Sequence, residues 1–153
     1  MKAFLKENLN RILLLLLASL IFILWGRAIY REVRVNSYIK NLTTVQARID
    51  CIASFGWEAD IGSEIRDKVS IPAEFDDVYL NYNKIQKMCG FDLEAYKGKV
   101  VDKYTYRVLN FPYDVDEEVY VNILVYNDTM IAGDCMTVSL DGFMLPIDRR
   151  FKP

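Results

Sequence analysis

The chain has 153 residues, of which 52% are hydrophobic, 26% are charged and none is histidine, and its formal net charge is −2. That length holds one domain of ordinary size plus a short appendage and excludes two large domains. Without an imidazole, Ser/His/Asp and Cys/His nucleophilic machinery, HExxH metal sites and histidine-dependent zinc fingers are excluded, and the near-neutral charge gives no basic character for nucleic-acid binding.

The composition is uneven along the chain. From Ile12 to Gly26 fifteen residues carry no charge, bounded by Arg11 and Arg27. A soluble helix is rarely apolar on every face, so residues 12–26 predict a lipid bilayer as partner. At about 1.5 Å per residue the run is shorter than the ~30 Å hydrocarbon core, which places it between a signal-peptide h-region and a full span. Arg11 and Arg27 are placed to snorkel to headgroups, and Trp25 and Tyr30 suit the interface. No A-x-A-like cleavage pattern follows, and no cysteine lies near the end of the run for a lipoprotein. These features favour an uncleaved signal anchor over a cleaved signal or a buried soluble helix. Lys and Arg tie at three on each flank, so orientation rests on the short N-terminal tail: N-in, single-pass in the cell membrane, with the C-terminal domain outside.

Cut after Arg34, the first part has a net charge of +4 and the remainder −6. The expected organisation is an anchor over 1–34, a helical connector over 35–48, an extracytoplasmic α+β domain over 49–147 and a tail over 148–153. An acidic body has no general attraction for nucleic acid or anionic headgroups.

Beyond the anchor, Tyr38, Leu42, Val45, Ile49 and Ile52 follow helical spacing, with Asn41, Thr43 or Thr44 as caps and Gly56 as the stop. Residues 57–69 hold at most a short strand. A second helix is expected from Pro72 in its first turn, through Glu74, Asp76 and Asp77 at its positive end, to Lys84 and Lys87, closed by Gly90. Its stripe of Phe75, Val78, Tyr79, Tyr82, Ile85 and Cys89 reads as core packing in preference to an aromatic ligand platform. Alternation over 100–109 and 118–126 predicts strands; Asn127-Asp128 predicts a hairpin into 129–140, and Asp141-Gly142 a turn before 143–147. Helices first and hairpins later predict an α+β fold: an N-terminal transmembrane helix, then two helices on one face of a three- to four-stranded antiparallel meander.

A set of short motifs runs through this region: Phe55-Gly56-Trp57-Glu58, Ile71-Pro72 with Phe75, Tyr82-Asn83 with Gln86, Gly90-Phe91-Asp92-Leu93, Tyr96 with Gly98-Lys99, Tyr104 with Tyr106, Gly133-Asp134 and Asp141-Gly142-Phe143. Their order and spacing over roughly 49–145 resemble the bacterial domain-of-unknown-function family numbered 4830, found in anchored proteins of clostridia and relatives. The resemblance implies a Gram-positive source and an exported domain behind one membrane segment, and no particular activity. Where the family pattern has two glycines before the aspartate, this chain has Ala132-Gly133.

The candidate chemistry is sparse. Cys51, Cys89 and Cys135 form no C-x-x-C and read as unpaired small hydrophobes in preference to one bridge and one free thiol. Asp114, Asp116, Glu117 and Glu118 have a spacing able to hold Ca²⁺ but lack the glycine turn and spaced ligands of an EF-hand, so a solvated loop is favoured. Asp134 and Asp141, about seven strand residues apart, are too distant for a glycosidase-like acid/base pair, and Asp134 beside Gly133 reads as a bulge or turn residue. No cofactor, metal site or catalytic residue is expected. The function expected is a membrane-anchored binding or interaction module with an unknown protein or envelope partner, and Trp57, Tyr82, Tyr104 and Asp134 are its candidate binding residues. The alternative is a cell-envelope enzyme using carboxylate and tyrosine chemistry, which requires two or more of Glu58, Asp92, Asp134 and Tyr104 to converge in a pocket.

Overall fold

The computed structural model describes residues 2–151 except Asp114 and Leu140, with the side chains of 2–10, Ala28 and 30–36 left aside. Two units emerge, Met1–Ser37 and Tyr38–Pro153.

The first unit is helix α1 (Lys2–Tyr38). Its apolar run faces outward all round: Leu13, Leu14, Leu15 and Leu16, which together go once round the helix, are each more than half exposed, and Phe22 reaches 80%. Among the described residues no helix is long and apolar enough to cross a membrane.

The second unit begins with α2 (Val45–Ser54). Thr44 caps it by accepting the Ala47 N–H at 3.1 Å, one of the caps the sequence offers. Gly56, at φ +99°, ends it with its N–H on the Ala53 carbonyl; a side chain there would be strained. The stripe that α2 buries is Arg48, Cys51 and Ile52, so Arg48 lies inside while Ile49 is half-buried. The expected helix from Tyr38 is shorter in fact, because Leu42 N–H is drawn to the Asp128 carbonyl at 2.9 Å and Asn41 takes a left-handed φ of 59°.

Strand β1 (Ile65–Ser70) follows, then α3 (Asp77–Met88), β2 (Val100–Arg107), β3 (Val119–Tyr126), β4 (Thr129–Thr137) and β5 (Met144–Pro146). Asp76 caps α3 through the Tyr79 N–H at 2.8 Å. Pro72 is not in its first turn: Ile71 is tied at both its N–H and its carbonyl to the 98–99 turn, and the chain bends at Ala73 and Glu74 before the helix starts at Asp77. Gly90, at φ +84°, stops α3 as expected.

The sheet is a five-stranded antiparallel meander in the order β1-β2-β3-β4-β5, one strand more than the expected maximum, because 65–70 forms a full six-residue partner for β2. Asn127 and Asp128, at φ 48° and 57°, make the β3–β4 turn, the twist a two-residue hairpin requires. Close to this turn the register shifts between Leu124 and Val125, so that Ile131 of β4 has no partner on β3. Strand alternation separates the faces. Tyr104, Tyr106, Val121 and Ile123 face α2, whose Arg48 guanidinium lies 4.1 Å from the Tyr104 ring centroid and whose Cys51 thiol is 3.6 Å from the Met130 sulfur. Lys103, Asn122, Leu124 and Asp134 face α3, where Tyr82 bonds Asp134. The two helices therefore pack on opposite faces, not on one. This is why β3 and β4 are buried on both sides.

Candidate functional site

A cleft of about 520 Å³ opens between α3 and its face of the sheet. Helix α3 supplies Val78, Tyr79, Tyr82 and Ile85, and the sheet supplies Val69, Leu124, Met136 and Met144, so the walls are almost wholly apolar. Such a volume and lining are those of small-molecule sites. Val78 and Met144 remain exposed at its mouth, while Phe75, Tyr79 and Tyr82 also pack against the core built on Ile71, Leu93, Val101 and Leu124. The aromatic stripe of α3 is thus core on one side and cleft wall on the other.

A short polar chain forms the floor. The Tyr82 hydroxyl donates to Asp134 Oδ2 at 2.8 Å, Asn122 Nδ2 donates to Asp134 Oδ1 at 2.8 Å, and the Thr105 hydroxyl donates to Asn122 Oδ1 at 2.6 Å. Asp134 is only 3% exposed. Burial raises its pKa above the ordinary carboxylate value, opposed by the hydrogen bonds from Asn122 and Tyr82 and by the nearby charge of Lys103. Burial, together with Asp134, raises the Tyr82 phenol well above its usual value. Asp134 lies in regular pairing with Asn122 in β4; it is neither a turn nor a bulge residue, since the bulge falls on the other side of Ala132. Gly133 is glycine for a packing reason: a Cβ there would meet the Met130 methyl at 2.6 Å, Ile147 at 2.7 Å and the Asn122 carbonyl at 2.9 Å.

The other candidate residues lie elsewhere. Tyr104 points to the α2 face, between the guanidinium groups of Arg48 and Arg66, where Arg48 also holds Glu64 through Nη2 at 2.8 Å and the Tyr106 hydroxyl at 2.9 Å. Burial would raise Glu64, but hydrogen bonds from Tyr106 and Arg48 outweigh it and hold its carboxyl below the ordinary value. Trp57 is buried, donates its indole N–H to the Ile147 carbonyl and stacks on Phe111, which stacks on Phe143. Glu58 is exposed beside Asn110. Asp92 caps the 3-10 turn Leu93–Tyr96 and holds Asn83 and Lys87. Of Glu58, Asp92, Asp134 and Tyr104, only Asp134 reaches the cleft, and of the candidate binding residues only Tyr82 and Asp134 meet.

The three cysteines are free thiols, and burial pushes both Cys51 and Cys135 up to about 12. Asp114 lies outside the described residues; Glu118 pairs with Arg107 at 3.2 Å, and among the described residues no three acidic or cysteine side chains gather to hold a metal. Sequence reasoning missed Asn122, Lys103 and Thr105. Asn122 carried a signal: it is the one polar residue between Val119 and Val125 apart from Tyr120, in a strand otherwise fit for burial on both faces.

The family model described as a domain of unknown function, DUF4830, matches residues 52–135, more than half of the chain. The chain belongs to the DUF4830 family. The matched segment of this DUF4830 protein contains α3 and the complete floor of the cleft, Tyr82, Thr105, Asn122 and Asp134, and leaves only Met136 and Met144 of its walls outside. Neither a curated protein nor a solved structure matches the chain.

Proposed function

We propose that this DUF4830 protein is a membrane-anchored binding module whose cleft takes a small, largely apolar ligand at the outer face of the cell. The observation that carries the binding role is the cleft itself: apolar walls with one convergent polar cluster at the floor, the composition that fixes a ligand's orientation as well as its body. Binding is favoured over catalysis because Asp134 is the one candidate acid in the cleft, and both donors around it are committed to holding it.

For the anchor, the support is the sleeve of outward-facing leucines and isoleucines on α1. Left in water, that surface is a liability. The uncharged run covers about 22 Å, and Arg11 and Arg27 at its ends extend the span by snorkelling. Protease added to intact cells is expected to remove the 38–153 unit and spare a membrane-bound N-terminal fragment; protection of that unit until the cells are lysed sinks the outside orientation. For the cleft, the full chain in lipid nanodiscs is expected to show methyl NMR shifts at Met136 and Met144, and not at Met130 on the opposite face, when small apolar compounds are added.

A further inference from the structure

The geometry points to an organic ammonium compound, a positively charged nitrogen on a small apolar body, as the ligand of the cleft, with its nitrogen on Asp134 and its body against Leu124, Ile85 and Met136. This rests on the reading of the cleft as a binding site and adds the class of ligand. The argument starts from what Asp134 lacks. Its two hydrogen bonds come from neutral donors, the Tyr82 hydroxyl and the Asn122 amide, and among the described residues no cation forms an ion pair with it. A buried carboxylate with neutral donors alone keeps much of its desolvation cost.

The hydrogen bonds at Asp134 then fix the sign of what it can still take. Tyr82 O–H and one Asn122 N–H already donate to it, and Thr105 O–H is spent on Asn122. What the carboxylate still offers is acceptor capacity, since each oxygen has a lone pair to spare. A ligand group that meets Asp134 therefore donates. An ammonium donates, brings a positive charge into direct contact with the carboxylate, and forms the shorter and stronger charge-assisted bond. Tyr79 and Tyr82, whose rings meet edge to face at 6.2 Å, add ring surface of the kind that receives cations.

Lys103 is the opposing group, because it also lines the cleft. Its Nζ sits 3.9 Å from Asp67 on β1, so its charge is shared with a carboxylate outside the floor, and its effect is to reduce the preference for a cation and not to reverse it. An anionic ligand would gain from Lys103 but would face Asp134 and the acceptors of the floor.

Three probes of matching size separate the terms: phenethylamine, phenethyl alcohol and phenylacetate, titrated into the full chain in nanodiscs with the Met136 and Met144 methyls as readout. The amine is expected to bind about tenfold more tightly than the alcohol, and phenylacetate most weakly. Asp134→Asn is expected to remove the advantage of the amine over the alcohol, and Lys103→Met, a change on the rim, to enlarge it several-fold. Equal binding of amine and alcohol, or tightest binding of phenylacetate, overturns the ammonium assignment and leaves the cleft as a binding site. No shift with any of the three overturns both.

Discussion

The two faces of the sheet each hold a carboxylate, Glu64 half-buried and Asp134 buried, and they treat it in opposite ways. On the α2 face Glu64 is gripped by the Arg48 fork and the Tyr106 hydroxyl, with Arg48 only 5% exposed. On the α3 face Asp134 is held by neutral groups beside an open cleft. The first arrangement is complete within the chain and ties α2 and the segment before β1 to β2. The second leaves Asp134 with acceptor capacity facing the cleft, which is what the proposed ligand would use.

The contrast breaks most visibly at Arg48. Arg48→Met leaves Glu64 and Tyr106 without their cation and is expected to cost about 3 kcal/mol in urea unfolding, toward the lower end for a broken buried pair because Glu64 keeps some contact with water. The same variant tests the pH signs. Glu64, held below its ordinary value, stabilises the fold above that value and loses this as pH falls through the depressed one, so the native protein loses stability below about pH 4 and Arg48→Met flattens that limb. Asp134, raised, has the opposite sign: its contribution is full at low pH and declines as pH rises through the elevated value.

Gly133→Ala comes next. The added methyl would press on Met130 and Ile147 of the α2 face and on the immovable Asn122 carbonyl, with an expected loss of about 2 kcal/mol by thermal melting. Tyr82→Phe removes one of the two donors to Asp134 and is expected to cost about 1 kcal/mol, with the contribution of Glu64 to the acid limb unchanged. A smaller effect again, and of the other sign, is expected at the hairpin: Asp128→Gly relieves a left-handed backbone and is expected to gain about 0.5 kcal/mol, leaving both faces as they are.

Much of this architecture is written locally and was readable from the sequence. Thr44, Gly56, Gly90 and Asn127-Asp128 each act within a few residues of themselves, and β2, β3 and β4 announce themselves by alternation. Strand β1 did not, because Ile-Arg-Asp-Lys-Val-Ser is an exposed edge whose only reason to be extended is β2. Pro72 misled for a similar reason: its neighbour Ile71 obeys a pair of hydrogen bonds to the 98–99 turn, which local propensity does not contain. A helical stripe shows which side of a helix is buried and says nothing of which face of a sheet will bury it, so α2 and α3 were placed together. At the site, Tyr82 and Asp134 were both named from the sequence, but their pairing spans 52 residues and spacing along a chain carries no information about it. Trp57 stacks on Phe111 and Tyr104 lies against Arg48, both away from the cleft.

One small feature bears on how the domain carries load. The turn after α1 is stitched to the β3–β4 hairpin: Met130 N–H bonds the Ile39 carbonyl at 2.8 Å, and Leu42 N–H bonds the Asp128 carbonyl. A pull transmitted along the chain from α1 would therefore meet first the hairpin that joins the two most deeply buried strands.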